Sequence, residues 1–432
     1  MRIAVVGGGI AGLAAAHALR GRAEFTLFEA APRFGGHANT VDVTLDGVTH
    51  GVDTGFLVFN ERTYPGLVRL FAQLGVATAA SDMSFSVQVP GALGGNRPLE
   101  WSGSNLDTVF CQRGNLMRPR FLRMLRDLLR FNRLCTLLAQ AGAELPLRES
   151  LADFLARERF GPEFRDWYLL PMAACIWSCP SAQMLRFPIG TLIRFCHNHG
   201  LLQVTGRPQW YTVRGGSRHY VDAIVAGLPD ARAATPVRRI WRGPQGVTVA
   251  TDAGSEQFDR VVLAVHSDQA LAMLADPDSA EAGVLSAIGY QRNRAVLHTD
   301  AAMLPANRRA WAAWNYEGAP PGRRALVCLH YLVNRLQPLP WQQPVIVSLN
   351  PVRPIAPQHV LAEFDYAHPV FDAAALQAQT QLQDLQGRRH TWFCGAWTGY
   401  GFHEDGLASG QAAARQLLAR GSIEQASAEA FA

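Results

Sequence analysis

The strongest constraint on this chain is its glycine segment Gly7-Gly8-Gly9-Ile10-Ala11-Gly12, which joins an apolar run to an alanine-rich one. Residues 2–6 read as a buried strand, 13–19 as a helix, and 25–28 as a second strand ending at Glu29. That pattern is a βαβ unit. Gly7 permits the tight turn, Gly9 lets backbone approach a pyrophosphate, and Gly12 lets the helix pack closely on the strand. Ala11 lies in the same turn, and the helix N-terminus turns its free N–H groups and positive dipole end toward the phosphates. Glu29, 17 positions beyond Gly12, stands where a carboxylate accepts from ribose hydroxyls.

Composition narrows the class further. A chain of 432 residues exceeds the roughly 250 to 300 at which single cores stop growing, so two packed domains are expected. A hydrophobic content of 48% with 17% charge is that of a globular protein, and a net charge of +5 spread over scattered arginines predicts no nucleic-acid footprint. Every basic residue among the 40 is Arg, which removes a lysine base or Schiff base from any mechanism. The seven Cys, an odd number without CxxC spacing, predict buried thiols, with no disulfide framework and no metal set. Residues 3–19 are apolar but broken by glycines, unlike a signal peptide, and no run of about 18 apolar residues follows. The expected compartment is the cytoplasm.

Three later segments carry matching signals. Arg33-Phe34-Gly35-Gly36-His37 follows the second strand, and Asp53-Thr54-Gly55-Phe56 follows soon after. Consecutive glycines let backbone donors reach a dianionic group that side chains would crowd out. Residues 234–241, 246–251 and 258–265 read as strands forming a small antiparallel layer that returns to the main sheet. Near the end, a strand at 392–394 leads into Gly395 and then His403-Glu404-Asp405-Gly406-Leu407 before an alanine-rich helix, a second strand–glycine–helix junction.

With these motifs at both ends, the chain resembles the flavin-containing amine oxidase superfamily. The resemblance implies FAD as cofactor, with Arg33, Gly35, Gly36 and His37 near its diphosphate, where many relatives carry Arg in place of His37. It places Thr54, Gly55 and Phe56 at the isoalloxazine or ribityl group, and the Val237 backbone at adenine. It also implies that Gly395 meets the diphosphate and that the 404–407 segment approaches the flavin. The stretches VDTGFLVFNERTYPGL (52–67), NRAVLHTD (293–300) and GFHEDG (401–406) are similar to one subgroup, bacterial NAD/FAD-binding proteins associated with cyclopropane fatty acid synthases. What that implies is an enzyme oxidising or desaturating fatty-acyl or phospholipid chains, with a cyclopropane-synthase-like partner. An amine oxidase and a non-catalytic FAD-bound accessory subunit are the alternatives.

The expected architecture is α/β: a Rossmann-type doubly wound FAD domain from residues 1–75, 210–270 and 385–420, and an interleaved α+β substrate domain from 76–209 and 271–384. Residues 421–432 read as a tail. No second GxGxxG appears in strand–helix context, so electrons are expected to leave to oxygen, a quinone or a partner protein rather than through a separate NADPH domain. His403, whose imidazole titrates near neutral pH, is the candidate base.

One further element bears on partners. Residues 118–138, beginning at Arg118 and ending at Leu138, read as a helix with Arg123, Arg126, Arg130 and Arg133 on one side. Phe121, Leu125, Leu128 and Leu129 are expected on the other. Such a helix suits peripheral contact with the inner membrane face, or a solvated face over a core.

Overall fold

The computed structural model describes residues 1–94, 97–141, 149–319 and 326–430, with side chains as far as 421. Strand Arg2–Val6 pairs in parallel with Glu24–Phe28 on one side and Arg260–Leu263 on the other. Ala231–Arg232 and Thr391–Phe393 complete a five-stranded parallel sheet at its two edges. Ile3, Ala4 and Val5 have no exposed surface, as expected of a strand covered on both faces. The sheet therefore gathers segments nearly 390 residues apart in sequence.

The helix Ile10–Leu19 is apolar apart from His17, and every residue but His17 and Ala18 is buried. A Cβ at Gly12 would lie 1.8 Å from the Gly7 carbonyl oxygen, so only glycine fits there. On the outer side the C-terminal helix His403–Ala430 crosses so closely that a Cβ at Gly410 would lie 2.0 Å from the Ala11 oxygen. That helix continues through most of the segment expected as a tail, and residues 431–432 lie outside the described residues.

The antiparallel layer is Val237–Gly243, Gly246–Thr251 and Gly254–Phe258. Its first strand begins three residues later than expected. The amides of Ala234 and Thr235 instead bond the carbonyls of Ala31 and Glu29 at 2.8 Å each, which ties this segment to the end of the second strand. The expected strand at 258–265 divides at Asp259, where the chain passes from the antiparallel layer into the parallel sheet.

A second sheet of seven strands runs in the order Val360–Val370, Gly289–His298, Ile346–Leu349, Cys328–Leu332, Trp314–Glu317, Phe85–Val89 and Leu99–Ser102. It is mixed, because Trp314–Glu317 runs parallel to Phe85–Val89. Helices Pro119–Gln140, Leu170–Trp177 and Ile189–Asn198 accompany it. In the first of these the buried face is Phe121, Met124, Asp127, Phe131, Asn132 and Cys135. Leu129 is 56% exposed on the arginine side, which corrects its expected place. All seven cysteines are buried and free. Among the described residues no helix is long and apolar enough to cross a membrane.

Candidate active site

One cavity of about 970 Å³ runs from the carboxyl ends of the parallel strands into the space beside the second sheet. Open α/β sheets bind ligands at that edge. Its first half is lined by Gly7, Gly9, Ala11, Glu29, Gly35, Gly36, His37, Gly55, Phe56, Val237, Gly395 and His403, all expected from the sequence.

The two glycine loops meet there. The Gly35 amide bonds the Gly8 carbonyl at 2.8 Å, and a Cβ built on Gly36 would come within 3.2 Å of the Gly9 Cα. Among the described residues a Cβ built on Gly9 would meet nothing within 4 Å, so the backbone lies open to the cavity there, which suits a diphosphate. Glu29 is held at its strand end by the amides of Gly8 (2.6 Å) and Ala31 (2.7 Å), with its side chain at the cavity wall. A register shift between Val237 and Arg239 bends that strand beside the same wall.

Seven expected residues do not line the cavity. Gly12 is the packing glycine described above. Arg33 turns its guanidinium back onto the carbonyls of Gly36 (3.0 Å) and Ala38 (3.2 Å), so it braces the glycine loop from behind. Thr54 is buried against the Asn39 carbonyl and the Tyr366 hydroxyl. The carboxylate of Glu404 accepts from the amides of Gly66 (2.7 Å) and Leu67 (2.9 Å), capping helix Pro65–Leu74 on the far side. Asp405 accepts from the Phe402 amide at 2.9 Å, and burial pushes its carboxyl up to about 6. Gly406 packs against Ile10, and Leu407 is fully buried. Residues 404–407 thus fix the start of the C-terminal helix, and none of the four lines the cavity that His403 reaches.

His403 stacks on Phe56 with ring centroids 3.9 Å apart, and its Nε2 shares a 2.8 Å hydrogen bond with the Tyr220 hydroxyl. Burial drives its pKa down to about 3. Two histidines that no motif marked join it. His368 stands 5.2 Å from His37, centroid to centroid, and His266 stacks on Tyr290 at 4.4 Å. Burial, then the neighbouring His368, His266, His403 and Arg33, hold His37 well below the usual imidazole range. Among the described residues its Nε2 is buried without a hydrogen-bond partner, an unmet need that an anionic or acceptor group in the cavity would satisfy. On this test the residues present fit FAD.

The Asp53 turn serves the frame. Asp53 accepts from the Ser217 amide and hydroxyl, the Gln337 side chain and Thr40, joining three distant segments. Arg214-Gly215-Gly216-Ser217 is accordingly a structural junction.

The second half of the cavity is apolar and aromatic. Phe85, Trp101, Tyr168, Met172, Ile176, Phe195, Trp210, Trp314, Tyr331 and Phe402 line it. Its ionisable side chains are few. Asp82 pairs with Arg335 at 3.2 Å. His199 has Nδ1 bonded to the Phe195 carbonyl at 2.9 Å, which makes Nδ1 the donor and leaves Nε2 as an acceptor.

Comparisons with known proteins agree with this geometry. Over 288 residues the chain is 30% identical to the carotenoid phi-ring synthase of Streptomyces griseus, covering 61% of this chain and 52% of that protein. Over 291 residues it is 27% identical to AofH of Mycobacterium tuberculosis, a protein named as a flavin-containing monoamine oxidase, covering 64% and 59%. The chain therefore spans about half the length of the curated relatives it matches. Among solved structures, a fatty acid isomerase from P. acnes superposes with a TM-score of 0.66 at 15% identity over 96% of this chain and 98% of that one. A redesigned putrescine oxidase superposes at 0.69 with 16% identity over 97% and 99%, so both show the fold. The family described as flavin containing amine oxidoreductase matches residues 10–418, and the chain belongs to that family.

Proposed function

We propose that this protein is an FAD-dependent oxidoreductase that oxidises or desaturates a hydrophobic acyl chain. The observation that carries the reading is the substrate half of the cavity: aromatic and aliphatic side chains, no lysine in the chain, and Asp82 already paired with Arg335. An ammonium substrate would find little counter-charge there, whereas an acyl chain gains about 25 cal/mol for each Å² of apolar surface it buries.

FAD, when bound, supplies the hydride acceptor. The chain does the rest. Its paired glycine loops receive the diphosphate, Glu29 receives the ribose, and the aromatic half holds the chain and excludes water. Proton removal falls to a side chain of the substrate half rather than to His403, whose Nε2 is engaged by Tyr220. His199 Nε2 is the imidazole acceptor on that side, and burial lowers its pKa to about 4, so it is neutral at pH 7.

Anaerobic flavin bleaching tests the proposal. Detergent-dispersed phospholipids bearing cyclopropane or methyl-branched chains should reduce the flavin, and a panel of primary amines should not. Reduction by amines alone would overturn it.

A further inference from the structure

Six of the twelve exposed large hydrophobic side chains among the described residues fall between positions 106 and 137: Leu106, Leu116, Met117, Leu122, Leu129 and Leu137. On helix Pro119–Gln140 the last three alternate with two arginines, in the order Leu122, Arg126, Leu129, Arg133, Leu137. These spacings of three and four form one outward stripe. Seven arginines lie between 106 and 137, against two acids in the same stretch, Asp107 and Asp127. Asp107 is held by Arg113, and Asp127 is buried beneath the helix, accepting from the Gly161 amide.

Some of the arginines are committed. Arg120 pairs with Glu163, and Arg130 lies over Phe160 while donating to carbonyls at 158 and 159. Among the described residues Arg126 has only Asp127, at 4.0 Å, and Arg133 has no carboxylate within that distance. The face thus presents exposed leucines and exposed guanidinium groups side by side.

The cavity opens beside it. Gly103 and Ser104 line the cavity, are exposed, and lead directly into the short helix that begins at Leu106. Val204, 64% exposed, and Arg207 line the cavity as well. Trp101 bridges the two regions, with its ring 6.1 Å from Phe121 on the inner side of the basic helix and 6.0 Å from Tyr168 in the cavity wall.

We infer that this face seats the protein on an anionic lipid surface, with the cavity mouth turned toward the bilayer. Interleaved leucine and arginine suit that occupant: an interface accepts apolar side chains at acyl depth while guanidinium groups meet lipid phosphates above them. The direction of substrate entry rests on the acyl-chain reading of the cavity. Seating itself does not.

The test uses flavin-loaded protein and vesicles of phosphatidylcholine with or without about one-third phosphatidylglycerol, scored by sedimentation. Wild type should bind the anionic vesicles and release them as salt rises. Arg126→Gln and Arg133→Gln should each weaken binding roughly fivefold, and Leu129→Gln should weaken it as well, all with an unchanged flavin spectrum. Absence of vesicle binding by the wild type would overturn the inference, as would equal binding to vesicles without phosphatidylglycerol. Concentration-dependent self-association abolished by the same substitutions would assign the face to a second copy of the chain instead. Because the readout is sedimentation, vesicle binding without flavin bleaching would count against the acyl substrate alone, and bleaching by detergent-dispersed lipid without vesicle binding would count against the seating alone.

Discussion

The hydroxyl of Tyr220 lies 2.8 Å from Nε2 of His403, and the imidazole so held rests flat on Phe56. With its pKa near 3, His403 is neutral throughout the working range and orients the wall of the cofactor half. His403→Asn should slow flavin reduction less than tenfold, whereas loss of a general base costs about 10² to 10⁴. Stopped-flow bleaching across pH separates the two. A loss above a hundredfold, with the pH profile flattened, would restore His403 as the base, and the same result with His199→Asn would place the base there.

Two glycines should tolerate no side chain, Gly410 at the crossing of the first and last helices and Gly12 where the first helix packs on the glycine turn. Gly410→Ala brings a methyl group to 2.0 Å from the Ala11 oxygen, and Gly12→Ala brings one to 1.8 Å from the Gly7 oxygen. Both should yield protein that fails to retain flavin, with a loss of several kcal/mol in stability. Gly283, on an exposed position of helix Ser279–Ser286, where a Cβ would meet nothing within 4 Å among the described residues, is the control. Gly283→Ala should leave stability unchanged or raise it by about 0.5–1 kcal/mol. Thermal melts of the three variants decide the matter.

FAD binding should be linked to protons. The buried imidazoles of His37 and His368 are held low, His368 at about 4, by burial first and by neighbouring histidines second. An anion placed beside them favours their charged forms, so binding takes up protons and affinity rises as pH falls. Between pH 8 and 6 the Kd should fall, by no more than about tenfold per pH unit for each proton taken up. Calorimetry in two buffers of different ionisation heat would count those protons. His37→Gln should reduce the number, and an unchanged proton count would refute the linkage.

A buried network in the second sheet should make stability depend on pH at the alkaline end. Burial opposes protonation of His330, but the adjoining Cys328 sulfur and the Glu317 carboxylate 3.0 Å away override it and raise the imidazole to about 9. A pKa raised above the unfolded value contributes stability in full below about 6.5 and loses it as pH rises through 9, up to about 3 kcal/mol. Denaturant midpoints should therefore drop between pH 7 and 10. His330→Asn should be less stable at neutral pH and lack that alkaline decline.

Local signals carried far in this chain. The strand, glycine turn and helix at residues 2–19 were legible because a βαβ unit declares itself within thirty residues. The second strand–glycine–helix junction at 391–418 was legible for the same reason. Twelve of the expected site residues do reach one cavity. The exceptions are instructive. The family resemblance implies Glu404 near the flavin, but adjacent helical residues face directions about 100° apart, and its carboxylate caps a different helix. Arg33 has a side chain long enough to fold back on its own loop, so its position in the motif did not determine its target.

The amino-acid sequence by itself thus determined the dinucleotide-binding frame, because tight turns, close backbone approaches and buried strands each demand particular residue types over short spans. Only the tertiary structure decided which histidines share a wall. His37, His266 and His368 lie on segments more than a hundred residues apart, and no local pattern encodes their meeting. Tertiary packing also decided that Leu129 lies among arginines rather than beneath them, because the buried side of a helix is chosen by what it packs against, and several faces of that segment were apolar enough to serve.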